Sequence, residues 1–596
     1  MRNVFLILST VFFCTHLLFS QNYETDLMGQ LDGDTIAVVA NTTNSIGDII
    51  IGSRVRGAVD LDPGEGITLT PEDVQSSFMI TTYDRTGLLK ENIFMVSNGS
   101  VSLVDLDVDS EGSIYITGNF SGTVDFDPSE SVFELSAPGD SEVFVAKYTD
   151  NTFQWAKKIG ETNFFQFPGQ IIISNNRIIV PLIFSGIVDF DPGPGVTSLN
   201  GDVDQAILEL DLDGNFLWAA VLVDAFIVDA HADEAGNLFL GGQFRGTVNF
   251  DFLGTDTREA LGNSSDSFVA KYNATHALEW VNTFGSSTAT ESTWELATNS
   301  DGDLMSIANI GGAVKLPNGV FIGEDRLALI KYSETGVMET ALDLMDPLES
   351  NITDMISTEG QVHFLGRFGT TVDVDFSENE ILFDPEPNKF NSFLVSTDND
   401  GVHIASGIIA GLDQQNSNLS ADQEGRLVLA HTFRSNGKLL FGSNEEVTIN
   451  GEENLIFERL GVITQIDNDM DGFNADVDCD DKNPDVNPNG VEIPNNGIDE
   501  DCDGEDLMTS STSQIGTSTV EIFPNPVSEN LNIIIEGENN FIGELFDIHG
   551  RLISRGSFGS VSNIVEMEYL DSGVYFLEIF SSENKSMRKT EKLIKL

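Results

Sequence analysis

The chain has 596 residues, with 29 Lys and Arg against 96 Asp and Glu, a formal charge of −67 and a pI near 4.1. So strong an acidic excess repels DNA, RNA and anionic lipid, which excludes nucleic acid and membrane surfaces as partners. With 40% hydrophobic residues, 41 Phe and 55 Gly, the chain has ample material for folded cores and is no disordered acidic tail.

Met1, Arg2 and Asn3 lead into an apolar run from Val4 to Phe19, followed by the polar Gln21, Asn22, Tyr23 and Glu24. The pattern predicts a secretory signal peptide over 1–20, cleaved near Ser20. A membrane span needs ~20 uninterrupted apolar residues, so no transmembrane segment is expected in the mature chain. Bulky Phe12 and Phe13 before Cys14 argue against a lipid attachment site. Loss of the peptide leaves Cys479 and Cys502, an even pair in an exported chain and therefore an expected disulfide. Closing a loop of about two dozen residues contributes roughly 3 kcal/mol in the chain-entropy account.

The next stretch is repetitive. Gly-Ala-Val-Asp-Leu-Asp-Pro at 57–63 returns as Gly-Thr-Val-Asp-Phe-Asp-Pro at 122–128, Gly-Ile-Val-Asp-Phe-Asp-Pro at 186–192 and Gly-Thr-Val-Asn-Phe-Asp at 246–251. A further copy is Thr-Val-Asp-Val-Asp at 371–375, with degenerate ones near Gly311-Gly312 and Asn436-Gly437. Phe-Val-Ala-Lys-Tyr occurs at 144–148 and 268–272, and Trp155, Trp218 and Trp280 keep the same step. Within one unit, Leu103 to Val108, Ile114 to Phe120, Phe144 to Tyr148 and Phe153 to Ile159 read as strands, the first two joined by an Asp109-Ser-Glu-Gly112 turn. Seven four-stranded units of ~60 residues over 31–466 predict a β-propeller, with a solenoid as the alternative. The fold class is therefore all-β. The segments Asp233-Glu-Ala-Gly-Asn-Leu-Phe-Leu-Gly-Gly-Gln-Phe and Ser267-Phe-Val-Ala-Lys-Tyr resemble the bacterial SBBP β-propeller repeats, a resemblance that implies a propeller and names no activity.

Alternation puts Val124 and Phe126 on one face of the strand and Asp125 and Asp127 on the other. The pairs Asp60/Asp62, Asp125/Asp127, Asp189/Asp191 and Asp373/Asp375 are either cation sites or solvated strand ends that cap the following turn. The second reading is preferred, as is core packing over sugar stacking for the tryptophans. No His-x-x-x-His, Gly-x-Ser-x-Gly or phosphate-cradling Lys motif is present, and the seven His are scattered. No catalytic or cofactor-binding residue is assigned. Paired carboxylates could still serve glycoside hydrolysis.

From 467 the composition shifts. Asp467, Asp469 and Asp471 take positions 1, 3 and 5 of a calcium loop, Gly472 the sharp turn at 6, the Phe473 carbonyl position 7 and Asp478 position 12. Asp499, Asp501 and Asp503 repeat the spacing before Gly504. Hard oxygen donors select Ca2+ over soft metals. The segment 467–506 resembles thrombospondin type 3 calcium repeats and, more closely, the bacterial MopE-like metal-binding motif, with Pro494 where some members carry another Cys. That family label evokes copper, but no Met or His cluster is present to bind it. Calcium would stiffen the segment into a spacer.

A Ser/Thr-rich linker is expected over 507–519 and a small β-sandwich over 520–596. Phe523-Pro-Asn-Pro526, the Asp547-Ile-His-Gly-Arg551 turn, Ser572-Gly-Val-Tyr575 and the basic end resemble the type A C-terminal sorting domain of the Bacteroidetes type IX secretion system. That resemblance implies export through the periplasm and across the outer membrane, with the secretion machinery as a partner and a secreted or cell-surface destination. The order of parts describes a displayed binding head, adhesin-like and non-catalytic, that engages a polysaccharide or a surface protein. A secreted glycan hydrolase and a structural surface-layer component are the alternatives.

Overall fold

A computed structural model describes residues 23–462 apart from short stretches, the longest being 384–390, together with 486–487, 502 and most of 513–596. The expected signal peptide, the expected metal ligands from Asp467 to Asp503, Asp375 and Cys479 lie outside the described residues; Cys502 is disulfide-bonded. The chain divides into two units, 1–464 and 465–596.

In the first unit the strands Ser100–Val108, Ile114–Asp125, Glu134–Thr149 and Thr152–Ile159 pair antiparallel in chain order. Six more sheets repeat this order, their first strands being Gly33–Thr43, Gln166–Pro168 with Ile172–Ser174, Ala225–Ala232, Glu291–Thr298, Ser350–Thr358 and Asp413–Ala421. We number the sheets blades 1 to 7 along the chain. First strands of successive blades neighbour one another around an axis, and Asp413–Ala421 lies back against Gly33–Thr43. Val38 N donates to Thr432 Oγ1 at 2.8 Å and Thr43 Oγ1 to the Ala421 carbonyl at 2.6 Å, which closes the ring. Closure of this kind leaves few exposed sheet edges.

The fourth strand of blade 7 comes from the start of the chain: Tyr23–Leu31 pairs antiparallel with Asn454–Val462. The propeller thus begins upstream of the boundary expected at 31. The two degenerate repeats are real, since hairpins Val314–Lys315/Phe321–Ile322 and Gly437–Leu440/Glu446–Ile449 stand where they were expected.

The repeated residues explain why each blade forms. Val124 and Phe126 are fully buried between blades 1 and 2, together with Phe78, Ile80, Phe120 and Phe144. The two sequence signatures meet through a hydroxyl: Tyr148 donates to the Phe126 carbonyl at 2.8 Å, Tyr272 to Phe250 at 2.7 Å and Tyr83 to Leu61 at 3.1 Å. At the turns, Asp109 Oδ1 accepts from Glu111 N and Ser113 N, and Gly112 takes a φ of +84°, which favours glycine. The half-buried Trp155 and Trp280 donate to the carbonyls of Leu212 and Glu334 in the following blade, so they pack blades together.

The second unit holds two four-stranded sheets. One runs Ser513–Ile515, Ser518–Phe523, Asn530–Glu536, Asn563–Glu566, and the other Leu552–Phe558, Phe541–Asp547, Gly573–Ser581, Arg588–Lys595. Their inner faces share a core that includes Val520, Ile533, Leu545, Leu577 and Leu593, as a small sandwich requires. Strand pairing starts at Ser513, inside the expected linker. Asn525 ties the Phe-Pro-Asn-Pro start to the last strand, donating to the Lys592 carbonyl and accepting from Ile594 N, both at 2.8 Å.

Candidate binding site at the propeller axis

The hairpin acids, the most visible feature of the sequence, are occupied by their own loops. Asp125 Oδ1 accepts from Asp127 N at 3.1 Å and Phe133 N at 2.8 Å, and Asp127 Oδ1 from Ser129 N at 2.9 Å. Asp189 and Asp191 do the same with Asp191 N, Thr197 N and Gly193 N. Asp60 closes its loop onto Asp62 N and Thr68 N, and Asp373 onto Ile381 N. These carboxylates act as turn caps, as the preferred reading expected.

A second set of acids lies on the first strands. In each of six blades the ladder slips by one residue along that strand, between Val38 and Ala40, Leu103 and Asp105, Ile227 and Asp229, Thr293 and Glu295, Ile352 and Asp354, and Gln414 and Asn416. A bulge re-aims the residue that follows it. In blade 3 the strand breaks instead, leaving Gln170 at the matching place. Four of these post-slip residues bond to the next blade. Asp105 Oδ2 accepts from Ile171 N at 2.9 Å, Asp229 Oδ2 from Leu296 N at 2.7 Å and Asp354 Oδ2 from Leu419 N at 2.8 Å, while Gln170 donates to Asp229 and to the Ala230 carbonyl. Asp107 adds a further link to Ile173 N at 2.7 Å. Charge-assisted bonds of this kind are worth about 1.5–3 kcal/mol each.

Glu295 breaks the rule. It occupies the same post-slip position, but among the described residues it accepts no hydrogen bond from blade 6 or elsewhere. Burial raises its carboxyl well above the usual range, and Asp229 and Asp354 raise it further. Burial likewise pushes Asp105 up to about 7 and Asp107 up to about 6, against backbone bonds that pull each down. Asp229 and Asp354 shift upward for the same first reason. All five stay part-accessible to water although they sit deep in the protein. No Lys or Arg occurs on any of the seven first strands.

Where these strands begin, in blades 3 and 4, the axis opens on apolar side chains. Phe167 and Phe226 are each 45% exposed and Val228 is 38% exposed. With Pro181 and others they line a cavity of about 200 Å3 whose polar members are Gln170 and Gln205. Gln205 is fixed by accepting from Ile227 N and donating to the Ile227 carbonyl, so Gln170, bonded to Asp229, links the cavity to the acids.

Sequence reading missed both the axial acids and this mouth. The available signal was an acid two residues beyond an aliphatic or Thr residue at a spacing of about 60, as in Leu103-Val-Asp105, Ile227-Val-Asp229 and Ile352-Thr-Asp354. Among the described residues, no group of three or more His, Cys, Asp or Glu is placed to hold a metal ion, and no helix is long and apolar enough to cross a membrane.

Residues 521–595 match the family model for a secretion system C-terminal sorting domain, and 478–506 match one described as "Putative metal-binding motif". No curated protein matches the chain. Among solved structures, a protein of unknown function from Dyadobacter fermentans is similar at 10% identity, over 74% of this chain and 99% of that one, with a TM-score of 0.34. The Dos1 propeller is similar at 9% identity over 74% and 95%, TM-score 0.34, and the intramolecular trans-sialidase from Ruminococcus gnavus at 10% over 72% and 96%, TM-score 0.29. The propeller assignment rests on the chain's own sheet order. With its sorting tail, the chain is a secreted or cell-surface protein that engages the type IX secretion machinery, and its head is an all-β propeller.

Proposed function

We propose that the chain is a non-catalytic, adhesin-like binding protein whose propeller engages a polysaccharide or another surface protein through the axial mouth of blades 3 and 4. The observation that carries this reading is the exposure of Phe167, Phe226 and Val228 around one cavity, since contiguous exposed apolar side chains mark contact sites. In this reading Asp467, Asp469, Asp471, the Phe473 carbonyl and Asp478, with Asp499, Asp501 and Asp503, hold Ca2+, and Cys479 pairs with Cys502. The metal-bound segment serves as a spacer between the head and the sorting tail.

The secreted hydrolase is the second reading, favoured by one observation: Glu295, shifted toward its protonated form, shares the axis with other carboxyls. Asp105, Asp229 and Asp354, however, each commit an oxygen to a backbone amide. The experiment is incubation of the full chain, in calcium, with immobilised polysaccharides and surface-protein extracts, scoring retention and new reducing ends. Retention lost in Phe226→Ser, without new ends, is the expected result. New ends that disappear in Glu295→Gln would replace the binding reading with the hydrolase.

A further inference from the structure

The geometry points to a more specific ligand for this mouth: an uncharged glycan, one ring of which enters the cavity with a hydroxyl on the Gln170 side-chain oxygen and its C–H face toward the exposed phenyl rings. The inference rests on the binding reading above and deepens it by choosing the class of partner.

Two independent observations carry this. The first is where blade 3 departs from the repeat. Its first strand is broken into Gln166–Pro168 and Ile172–Ser174, both paired with Arg177–Asp189, whereas the other six blades each have one continuous first strand. The break falls at Pro168-Gly169, beside Pro181, which offers the ladder no N–H. Gly169 N donates to the Pro181 carbonyl at 2.7 Å, and a Cβ at Gly169 would stand 3.3 Å from that oxygen. All three residues line the cavity. A regular repeat that gives up strand pairing at one place, around an open cavity, marks that place as functional.

The second observation is the Gln170 amide. Its Nε2 donates to Asp229 and, at 2.6 Å, to the Ala230 carbonyl, which can only accept, so the amide orientation is settled. Oε1 faces away from those partners and accepts no hydrogen bond among the described residues. A ligand that fills the cavity strips water from this oxygen; an aliphatic side chain of a protein would leave it without a donor, whereas a sugar hydroxyl supplies one. Gln205 spends both ends of its amide on Ile227, so Gln170 is the polar handle. No Asp, Glu, Lys, Arg or His lines the cavity, and a chain of net charge −67 repels polymers of acidic sugars, which leaves a neutral glycan. A volume of about 200 Å3 admits one ring of a longer chain, being below the ~300 Å3 at which pockets begin to enclose a drug-sized ligand. Phe167 and Phe226 offer the flat apolar faces against which such a ring packs.

The test is affinity electrophoresis of the full chain, in calcium, through gels that each contain one polysaccharide: the neutral hydroxyethyl cellulose, xyloglucan, galactomannan, arabinoxylan or glycogen, or the anionic carboxymethyl cellulose or hyaluronate. Retardation by at least one neutral polymer and by neither anionic one is expected, a comparison that depends on no variant's folding. Phe226→Leu, which keeps apolar bulk and removes the ring face, is expected to raise the Kd at least about tenfold, as is Gln170→Leu. Ile187→Ser, at an exposed residue that does not line the cavity, is expected to change nothing. Retardation by the anionic polymers equal to that by the neutral ones overturns the inference, and so does neutral retardation that survives Phe226→Leu. If no neutral polymer retards the chain while Phe226→Ser still abolishes retention on surface-protein extracts, this inference falls and the binding reading stands. If every retention persists in Phe226→Ser, the binding reading falls with it.

Discussion

Two sets of aspartates in the same propeller have opposite roles. The hairpin acids, such as Asp125 and Asp189, lie at the rim and fold back onto amides of their own loop, two and eight residues away. The axial acids, such as Asp105 and Asp354, reach amides about 65 residues away in the next blade. Both sets accept backbone hydrogen bonds, and in the axial set burial outweighs those bonds and raises the carboxyls of Asp105 and Asp354. The motif that repeats most visibly is therefore the local fastener, and the less visible acids carry the interactions between blades.

Four changes break or sharpen this contrast. The largest effect is expected from replacing Asp229 and Asp354 together by leucine, which leaves Leu296 N and Leu419 N without acceptors. At pH 5, where charge burial matters least, urea unfolding should show a loss of roughly 2–4 kcal/mol. The Asn pair, which keeps an acceptor and removes the charge, should be neutral there and stabilising at pH 8.

The second effect is in the pH profile. Carboxyls raised in the folded state, Asp105, Asp107, Asp229, Glu295 and Asp354, destabilise the fold when ionised, so stability grows as pH falls from 8 toward 6. His231, lowered to about 4 by burial, and His363, lowered to about 3, act in the opposite direction: the unfolded chain takes up their protons first as pH drops below its ordinary His value. Five carboxyls outnumber two imidazoles, so the unfolding temperature should be higher at pH 6 than at pH 8, by roughly 2–4 °C. A profile that rises steadily from pH 6 to 8 would contradict the axial burial.

Smaller effects belong to the rim. Tyr148→Phe leaves the Phe126 carbonyl without its hydroxyl donor and should cost about 1 kcal/mol. Asp127→Ala, which removes one exposed turn bond, should stay within about 0.5 kcal/mol, measured in the same urea titration.

Much of this architecture is legible in the sequence because a hairpin is encoded locally. Val124 and Phe126 alternate with Asp125 and Asp127 over four residues, and Gly112 marks its turn within the same unit, so each blade announces itself. Ring closure is not local: Tyr23–Leu31 completes a sheet whose other strands lie about 400 residues later, and it carries none of the repeated motifs, lacking even the Trp of the outer strands in blades 2 to 4. The axial acids escape a search by alternation for a different reason. The slips that skip Val104, Val228, Trp294 and Thr353 shift the phase by one residue, and the post-slip residue itself varies through Ala40, Asp105, Asp229, Glu295, Asp354 and Asn416. The Phe-Pro-Asn-Pro start is legible because the Asn525 side chain is used in full, bonding the backbone of Lys592 and Ile594 in the last strand.

The most direct test of the central claim, that the axial mouth of blades 3 and 4 is the binding surface, is hydrogen–deuterium exchange of the full chain with and without a saturating amount of the polysaccharide or surface protein that it retains. Protection confined to 166–174 and 225–232, with no change in the hairpin at 122–136, is the predicted result. Protection at the rim hairpins with the axis unchanged would contradict it.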